Sequence, residues 1–519
     1  MKKLFTTLLF IPFCVSFGIC QSLFKTFNPS GDAYPYFFFE FKDELYFIAN
    51  DGTDTEIWKT DGTAAGTKLL KNINPSGPSN PDDVRFIQFN SEFYFSAYDS
   101  YGQELWKSDG TKEGTVRISD INQSGSSYPN NLTTFNSELY FSAFDGTGTY
   151  LYKTNGTSIT KVSEIQVGHY EMAVYNSMLY FGGTDGQNNI GLYKTNGNVG
   201  EESLVKKTTT GESSASPYDL KVFNNKLFFS AEHMSSGIEL WISDGTSEGT
   251  IAITSGNKAP SELTLLNGTI YFSAINGDEG RELWKTDGTP LGTKLVKDVN
   301  PTSSSGVTDI TPFNSDLYFV ADDGTHGFEL WRSNGTEEGT ILVKDINPSA
   351  EDGNPMDLTV YNGQMYFGAN DGILGAELWK SDGTEEGTIM VMDINQGDSE
   401  SDPTDFHVYK NALYFSADNG MDGFELWKFS DVTGIKDKAI SDAIKIYPNP
   451  AHQYCDIDLQ DVKNITSVTL FNSLNQLVKQ VGISGSQSRL ETEDLPVGLY
   501  YIILTDSDNN IYSKKLIKN

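Results

Sequence analysis

Apolar and polar residues alternate along this chain in short runs, and the runs return in a fixed order. One run reads like Asp357-Leu358-Thr359-Val360-Tyr361 and ends in a turn such as Asn362-Gly363. A second reads like Leu45 to Ala49, Leu139 to Ala143 or Leu413 to Ala417. A third is Glu104 to Lys107 or Glu377 to Lys380, and a fourth is Leu295 to Asn300 or Leu342 to Asn347. A period of two, aromatic and β-branched content, and Gly, Asn, Asp, Pro and Ser between the runs predict short antiparallel strands. No helical apolar period runs long enough to compete.

The third run sets a longer period. Its aromatic recurs at Trp58, Trp106, Tyr152, Tyr193, Trp241, Trp284, Trp331, Trp379 and Trp427, with gaps of 48, 46, 41, 48, 43, 47, 48 and 48 residues. Every Trp of the chain stands at this position, as a repeated packing element. Four antiparallel strands in roughly 45 residues make one blade of a β-propeller, and a blade buries its faces only against neighbours. The expected fold is all-β, a propeller of about nine blades over residues 21–430.

The two ends fit together. The unit at Trp427 lacks the Asp-Gly-Thr and the fourth run, while Ser22 to Pro35 reads like the fourth run and loop of Ile341 to Gly353. Leu23, Lys25 and Asn28 fall on Leu342, Lys344 and Asn347. An N-terminal strand in the last blade would close the ring and remove two free sheet edges. Ahead of it, residues 1–20 have the basic start and apolar stretch of a secretory signal peptide. The residues before Cys20 make a poor lipobox. Cys455 is then the one cysteine of the mature chain, which rules out an internal disulfide. After a polar linker at 431–443, residues 444–519 show about seven alternating segments, as a small immunoglobulin-like β-sandwich does.

Two resemblances rest on these residues. The repeats, with Glu-Leu-Trp followed by Asp-Gly-Thr, resemble the ELWxxDGT repeats of secreted bacterial proteins, which implies export and a repeat fold but no defined activity. The C-terminal segment resembles the type A sorting domain of the type IX secretion system of Bacteroidota. The matching residues are Tyr447-Pro448-Asn449-Pro450, the stretch holding Gly498 and Tyr500, and Lys514-Lys515-Leu516. That implies passage through the outer membrane, the secretion machinery as a partner, and a secreted or cell-surface location.

Composition narrows the function. A net charge of -33 argues against nucleic acid or an anionic membrane as a partner. No apolar stretch after the signal is long enough for a transmembrane segment. The five His share no repeat position, and no nucleophile elbow, HExxH or Walker loop occurs. Arg85, Arg117, Arg281, Arg332 and Arg489 are the only arginines, too few for a sialidase-like cluster. No catalytic residue and no cofactor site is expected. Asp51, Asp99, Asp145, Asp323 and Asp371, in the turn between second and third strands, are weak calcium candidates. His233, Asn276 and Asn419 at the same position favour turn geometry over charge. The Asp-Gly after the third strand reads as a type I′ hairpin turn, because Asn155, Asn196 and Asn334 replace the Asp. Exposed Tyr34 and Tyr128, in loops on the face of the calcium candidates, offer stacking surfaces for sugars or packing across a blade junction. The expected function is an exported, non-enzymatic binding or adhesion protein with a glycan or surface-protein partner. The alternatives are a secreted polysaccharide hydrolase using Asp/Glu and a purely structural surface protein.

Overall fold

The computed structural model describes residues 19–519 apart from 82–85, 169–170, 188, 210–216, 278–279, 349–350, 432–443, 460–464, 473–476, 483–486, 494 and 507–510. The expected signal peptide up to residue 18, Arg85, His169 and the linker after Asp431 lie outside the described residues. Residues 23–428 form one compact unit, and 429–519 belong to a second.

The described secondary structure of residues 19–431 is strand, in nine antiparallel four-strand units. The unit of Trp331 is typical, with strands Thr308–Phe313, Asp316–Asp322, Phe328–Ser333 and Thr340–Lys344 in that order. The units of Tyr152 and Tyr193 join into one sheet, because Gln166 and Val167 pair with Thr184 and Gly183. The last unit takes its fourth strand from the other end of the chain. Ile19–Lys25 lies beside Phe424–Asp431, followed by Ala412–Asp418 and Thr404–Tyr409.

Each unit packs on the one before it. Phe319 faces Trp331 across the second and third strands, and the Trp reaches Tyr271, Leu283 and Val296 of the preceding unit. Trp106 does the same against Tyr46, Ile57 and Leu70, and Trp379 against Tyr318, Leu330 and Val343. Trp58, in the first unit, packs with Tyr409, Tyr414 and Leu426 of the last, with Phe27 edge-on at 5.0 Å. Trp241 and Trp284 fill the corresponding junctions. Trp427 is buried, with Nε1 donating to the Ala417 carbonyl at 3.0 Å. First strands of neighbouring units lie side by side, as Ser261–Leu266 does with Thr308–Phe313 and Met356–Tyr361 with Thr404–Tyr409, and Tyr36–Phe41 lies against Thr404–Tyr409.

Polar ties follow the same route. Lys59 donates to the Gly110 carbonyl of the next unit at 2.8 Å, Lys285 to Gly335 at 2.6 Å, and Lys428 to Gly62 at 3.0 Å. A Cβ on Gly110 would fall 2.7 Å from Tyr46 Oη, and Gly110 has φ 91°, so this position holds glycine for two reasons. The third-strand Glu ties its own unit to the exit of the fourth strand. Glu329 accepts the amides of Ile346 (2.9 Å) and Asn347 (3.1 Å), and Glu377 those of Ile394 (2.6 Å) and Asn395 (3.3 Å). Glu425 accepts Phe27 N at 2.8 Å and Asn28 N at 3.0 Å, 398 and 397 residues away in sequence. Lys25 reaches the Thr67 carbonyl at 2.8 Å as Lys297 reaches that of Thr340 at 2.8 Å.

The hairpin reading of Asp-Gly needs correction. A type I′ turn requires positive φ at both central residues. That geometry sits between the first and second strands, at Asn90 (50°) and Ser91 (63°) or Lys410 (45°) and Asn411 (57°). After the third strand only the Gly is left-handed. The Asp109 carboxylate instead accepts Thr111 N (2.9 Å) and Oγ1 (2.7 Å), and Thr111 Oγ1 accepts Gly114 N (2.9 Å). Asn334 does the same with Thr336, at 3.0 and 2.8 Å. The interchange of Asp and Asn therefore reflects a shared acceptor oxygen.

Residues 445–519 hold two antiparallel sheets. The first orders Lys445–Tyr447, Tyr454–Asp458 and Gln487–Glu491; the second orders Leu477–Gly482, Ile465–Asn472, Gly498–Asp506 and Ile511–Lys518. Both supply one apolar cluster, with Cys455, Ile457 and Leu490 from the first and Val468, Ile502, Leu504 and Leu516 from the second. Cys455 is a free, buried thiol whose pKa burial pushes up to about 11.

Burial raises the carboxyls of Glu56, Glu329, Glu377 and Glu425 from 4.5 to about 7, against the bonds they accept. Their folded form binds protons more readily than the unfolded chain, so their contribution is full below 4.5 and lost as pH rises through 7. Asp109, held below its ordinary value by Thr111, acts in the opposite sense only under pH 3.8. The thermal midpoint is therefore expected to be higher at about pH 5 than at about pH 8, and Glu329→Gln to shrink the difference. Calorimetry across that range checks it; a higher midpoint at the alkaline end contradicts the burial account.

Candidate functional site

The residues of interest lie on the first strands. Seven of them begin with an irregular register, as between Thr308 and Thr311 opposite Val320 and Tyr318. The residue after the first pair is left-handed: Phe37 (53°), Asn131 (59°), Asp219 (53°), Glu262 (57°), Asp309 (58°), Asp357 (57°) and Asp405 (56°). Asp219 to Asp405 in that series are carboxylates from five consecutive units. Each stands five residues before the turn residue that follows the strand, a spacing that would have picked them out of the sequence.

These carboxylates form a chain from unit to unit. Glu262 accepts Ile310 N at 3.1 Å and Thr308 Oγ1 at 2.9 Å. Asp309 accepts Leu358 N at 3.2 Å, and Asp357 accepts Asp405 N at 2.9 Å. Asp219 pairs with Lys221 at 3.2 Å. Burial, with Asp357 and Glu262 nearby, raises Asp309 from 3.8 to about 6, and burial with Asp357 raises Asp405. Lys221, Glu262, Thr264, Asp309, Met356 and Asp357 are among the residues lining a cavity of about 520 Å³. Nearer the turn, Val174, Val222, Leu265 and Val360 leave about two-fifths of their surface exposed, where the first three units carry Glu40, Gln88 and Thr134.

The calcium candidates lie elsewhere, in separate turns. Asp51 accepts the amides of Thr53 (2.9 Å) and Asp54 (3.2 Å), and Asp371 those of Ile373 (2.9 Å) and Leu374 (2.7 Å). Asp99 is paired with Arg117 at 3.2 Å, Asp145 with Lys161 at 3.4 Å, and Asp323 with His326 at 2.8 Å. Among the described residues, no three Asp, Glu, His or Cys side chains converge as a metal site. In the same region a Cβ on Gly52 would fall 2.7 Å from Asn28 Oδ1, and one on Gly372 2.5 Å from Asn347 Oδ1. Tyr34 is half exposed and stacks on Phe424 at 4.7 Å; Tyr128 is half exposed. His407 Nε2 lies 3.5 Å from Glu40 and His233 beside Trp241, so the described repeat histidines do not come together.

In the C-terminal unit, the tetrapeptide at 447–450 is fixed to the last strand. Asn449 Nδ2 donates to the Lys515 carbonyl at 2.7 Å, and Asn449 Oδ1 accepts Ile517 N at 2.8 Å. Tyr447 is exposed, Pro450 precedes the buried Ala451, and Tyr500 is buried with its hydroxyl on the Pro496 carbonyl at 2.8 Å. Gly498 opens the third strand of its sheet; Lys514 is half-buried and Lys515 exposed.

Residues 445–519 match the secretion system C-terminal sorting domain. The chain is thereby marked for type IX secretion, to the cell surface or the exterior, and for contact with that machinery. Among the described residues no helix is long and apolar enough to cross a membrane. No curated protein matches the chain. Solved structures similar to it include a puromycin hydrolase (11% identity, TM-score 0.37, 75% of this chain and 59% of that one). Another is the extracellular domain of the putative one component system BT4673 from B. thetaiotaomicron (10% identity, TM-score 0.28, 93% and 81%). The chain thus spans 59% of the length of the hydrolase. Likeness at that level leaves function to the chain's own residues.

If Asp109 is a turn cap, Asp109→Asn is expected to leave the thermal midpoint unchanged and Asp109→Ala to lower it by about 1–2 °C. Calcium at about 1 mM is expected to shift neither. A calcium-dependent rise in scanning fluorimetry, abolished by Asp109→Asn, would show instead that the charge matters.

Proposed function

We propose that residues 21–430 are a β-propeller of nine ELWxxDGT blades, closed by the N-terminal strand, and that the chain is an exported, non-enzymatic binding or adhesion protein. The sheet that Ile19–Lys25 shares with the strands of Thr404–Asp431 and the contact between the first strands of the first and last units support closure. Residues 444–519 are read as an immunoglobulin-like sorting sandwich that follows a linker at 431–443, and residues 1–20 as a signal peptide.

The ligand is taken at the opening that the first strands surround. The observation that carries this reading is the carboxylate series from Asp219 to Asp405, of which Glu262, Asp309 and Asp357 line the cavity of about 520 Å³. The side chains recur at one repeat position and accept neighbouring amides, as a scaffold does. With Val222 and Leu265 on the same strands, they suit a glycan or protein surface that offers N–H or O–H donors over an apolar patch. A hydrolase is the second reading, favoured by Asp309 alone: at about 6 it holds a proton closer to neutrality than an ordinary carboxyl. A catalytic pair is expected to break the repeat, whereas Asp309 and Asp357 follow it.

Array binding to glycans and basic proteins, run beside a polysaccharide-degradation screen, separates the two. Binding is expected to weaken at least about tenfold in Glu262→Gln/Asp357→Asn, with no polymer cleaved. Cleavage of any polymer, lost in Asp309→Asn, would overturn the proposal.

A further inference from the structure

The last strand, Ile511–Lys518, stands at the edge of its sheet, paired on one side with Gly498–Asp506. Its other side is half covered, and the cover comes from the segment that contains the tetrapeptide. Ala451 N donates to the Ile517 carbonyl at 2.7 Å, Asn519 N to the Ala451 carbonyl at 2.9 Å, and the Asn449 amide bridges Lys515 and Ile517. One side chain and one residue thus stand in for a missing strand next to 515–519. Alternate residues of a strand direct their backbone groups to the same side. Because Ile517 directs both of its groups outward, so do Lys515, Ser513 and Ile511. Among the described residues, the outward groups of Ile511 and Ser513 and the Lys515 amide have no partner. This open run spans about 17 Å.

We infer that the outer edge from Ile511 to Lys515 is where an extended segment of the secretion machinery adds as a further strand. The match of 445–519 to a sorting domain requires that the machinery recognise this region. An open edge gives it main-chain recognition that tolerates varied side chains. Asn449 limits the added strand to the open half, because beyond Lys515 the outward groups are taken. It acts as a positioning residue that sets register. Exposed edges are sites of unwanted pairing, and exposed Lys515 beside the open run is a residue type that discourages it until the partner arrives.

Proline tests the edge without touching the inner ladder. Lys515→Pro removes an outward amide that does not bond to Gly498–Asp506, a replacement edge strands tolerate. In secreting cells the full chain carrying Lys515→Pro is expected to reach the medium or surface at least about tenfold less than wild type. It should remain folded by protease resistance of the retained protein, and Lys515→Ala should be exported within about twofold of wild type. If Lys515→Pro is degraded, the same comparison of Ser513→Pro with Ser513→Ala decides. Normal export of a folded Pro variant would overturn the inference, as would an equal defect in the Ala variant, which would place recognition in the side chain.

Discussion

The structure of residues 23–428 depends on a buried glutamate that binds the chain as it leaves the fourth strand. Glu329 and Glu377 do this within their units, across about 17 residues of sequence. Glu425 does it across the whole repeat region, with Phe27 and Asn28 in place of the missing local partners. Removing such a carboxylate from water is costly, and the two or three N–H and O–H donors that meet it are what keep it buried. In the seven units with this Glu a Trp stands two residues on and faces the preceding unit, and a Lys after it, as at Lys59, Lys285 and Lys428, reaches a glycine carbonyl of the next; the units of Tyr152 and Tyr193 carry Tyr150 and Gly191 in place of the Glu. Glu, Trp and Lys of the third strand thus address three directions: their own unit, the one behind and the one ahead.

This division of labour separates scaffold from site. The face of the repeat that looks rich in chemistry, Asp-Gly-Thr, spends its carboxylate on a threonine amide and hydroxyl. The first strands look bland, yet in three consecutive units their left-handed residue, Glu262, Asp309 or Asp357, places a carboxylate on an amide of the following unit. Glu262 spends both of its oxygens this way, one on the Thr308 hydroxyl and one on the Ile310 amide. In the C-terminal unit the same economy holds: Asn449 uses both ends of its amide to finish an edge that no strand covers.

The strand pattern, the period and the destination of the N-terminal strand were legible in the sequence, because alternation and the Trp spacing are written in residue types. The role of Glu104 and its equivalents was not. An acid before Leu-Trp looks solvent-facing until the fourth-strand loop folds over it. The type I′ turn was misplaced, since Asp-Gly and Asn-Ser both satisfy turn composition and only backbone geometry shows which pair is left-handed twice. The first-strand carboxylates escaped because the same bulge position accepts Phe37 and Asn131, so only its fixed distance from the following turn marks it, not a residue type. Asn155 and Asn334 did point to something other than charge at the Asp-Gly position, and the acceptor oxygen they share with Asp explains why.

The most direct test compares Glu425→Ala with Glu377→Ala by thermal unfolding. If the N-terminal strand completes the last unit as local strands complete the others, both variants lose a similar amount, on the order of 2 kcal/mol. A Glu425→Ala protein that melts with the wild type while Glu377→Ala does not would contradict closure of the repeat region by its own N-terminus.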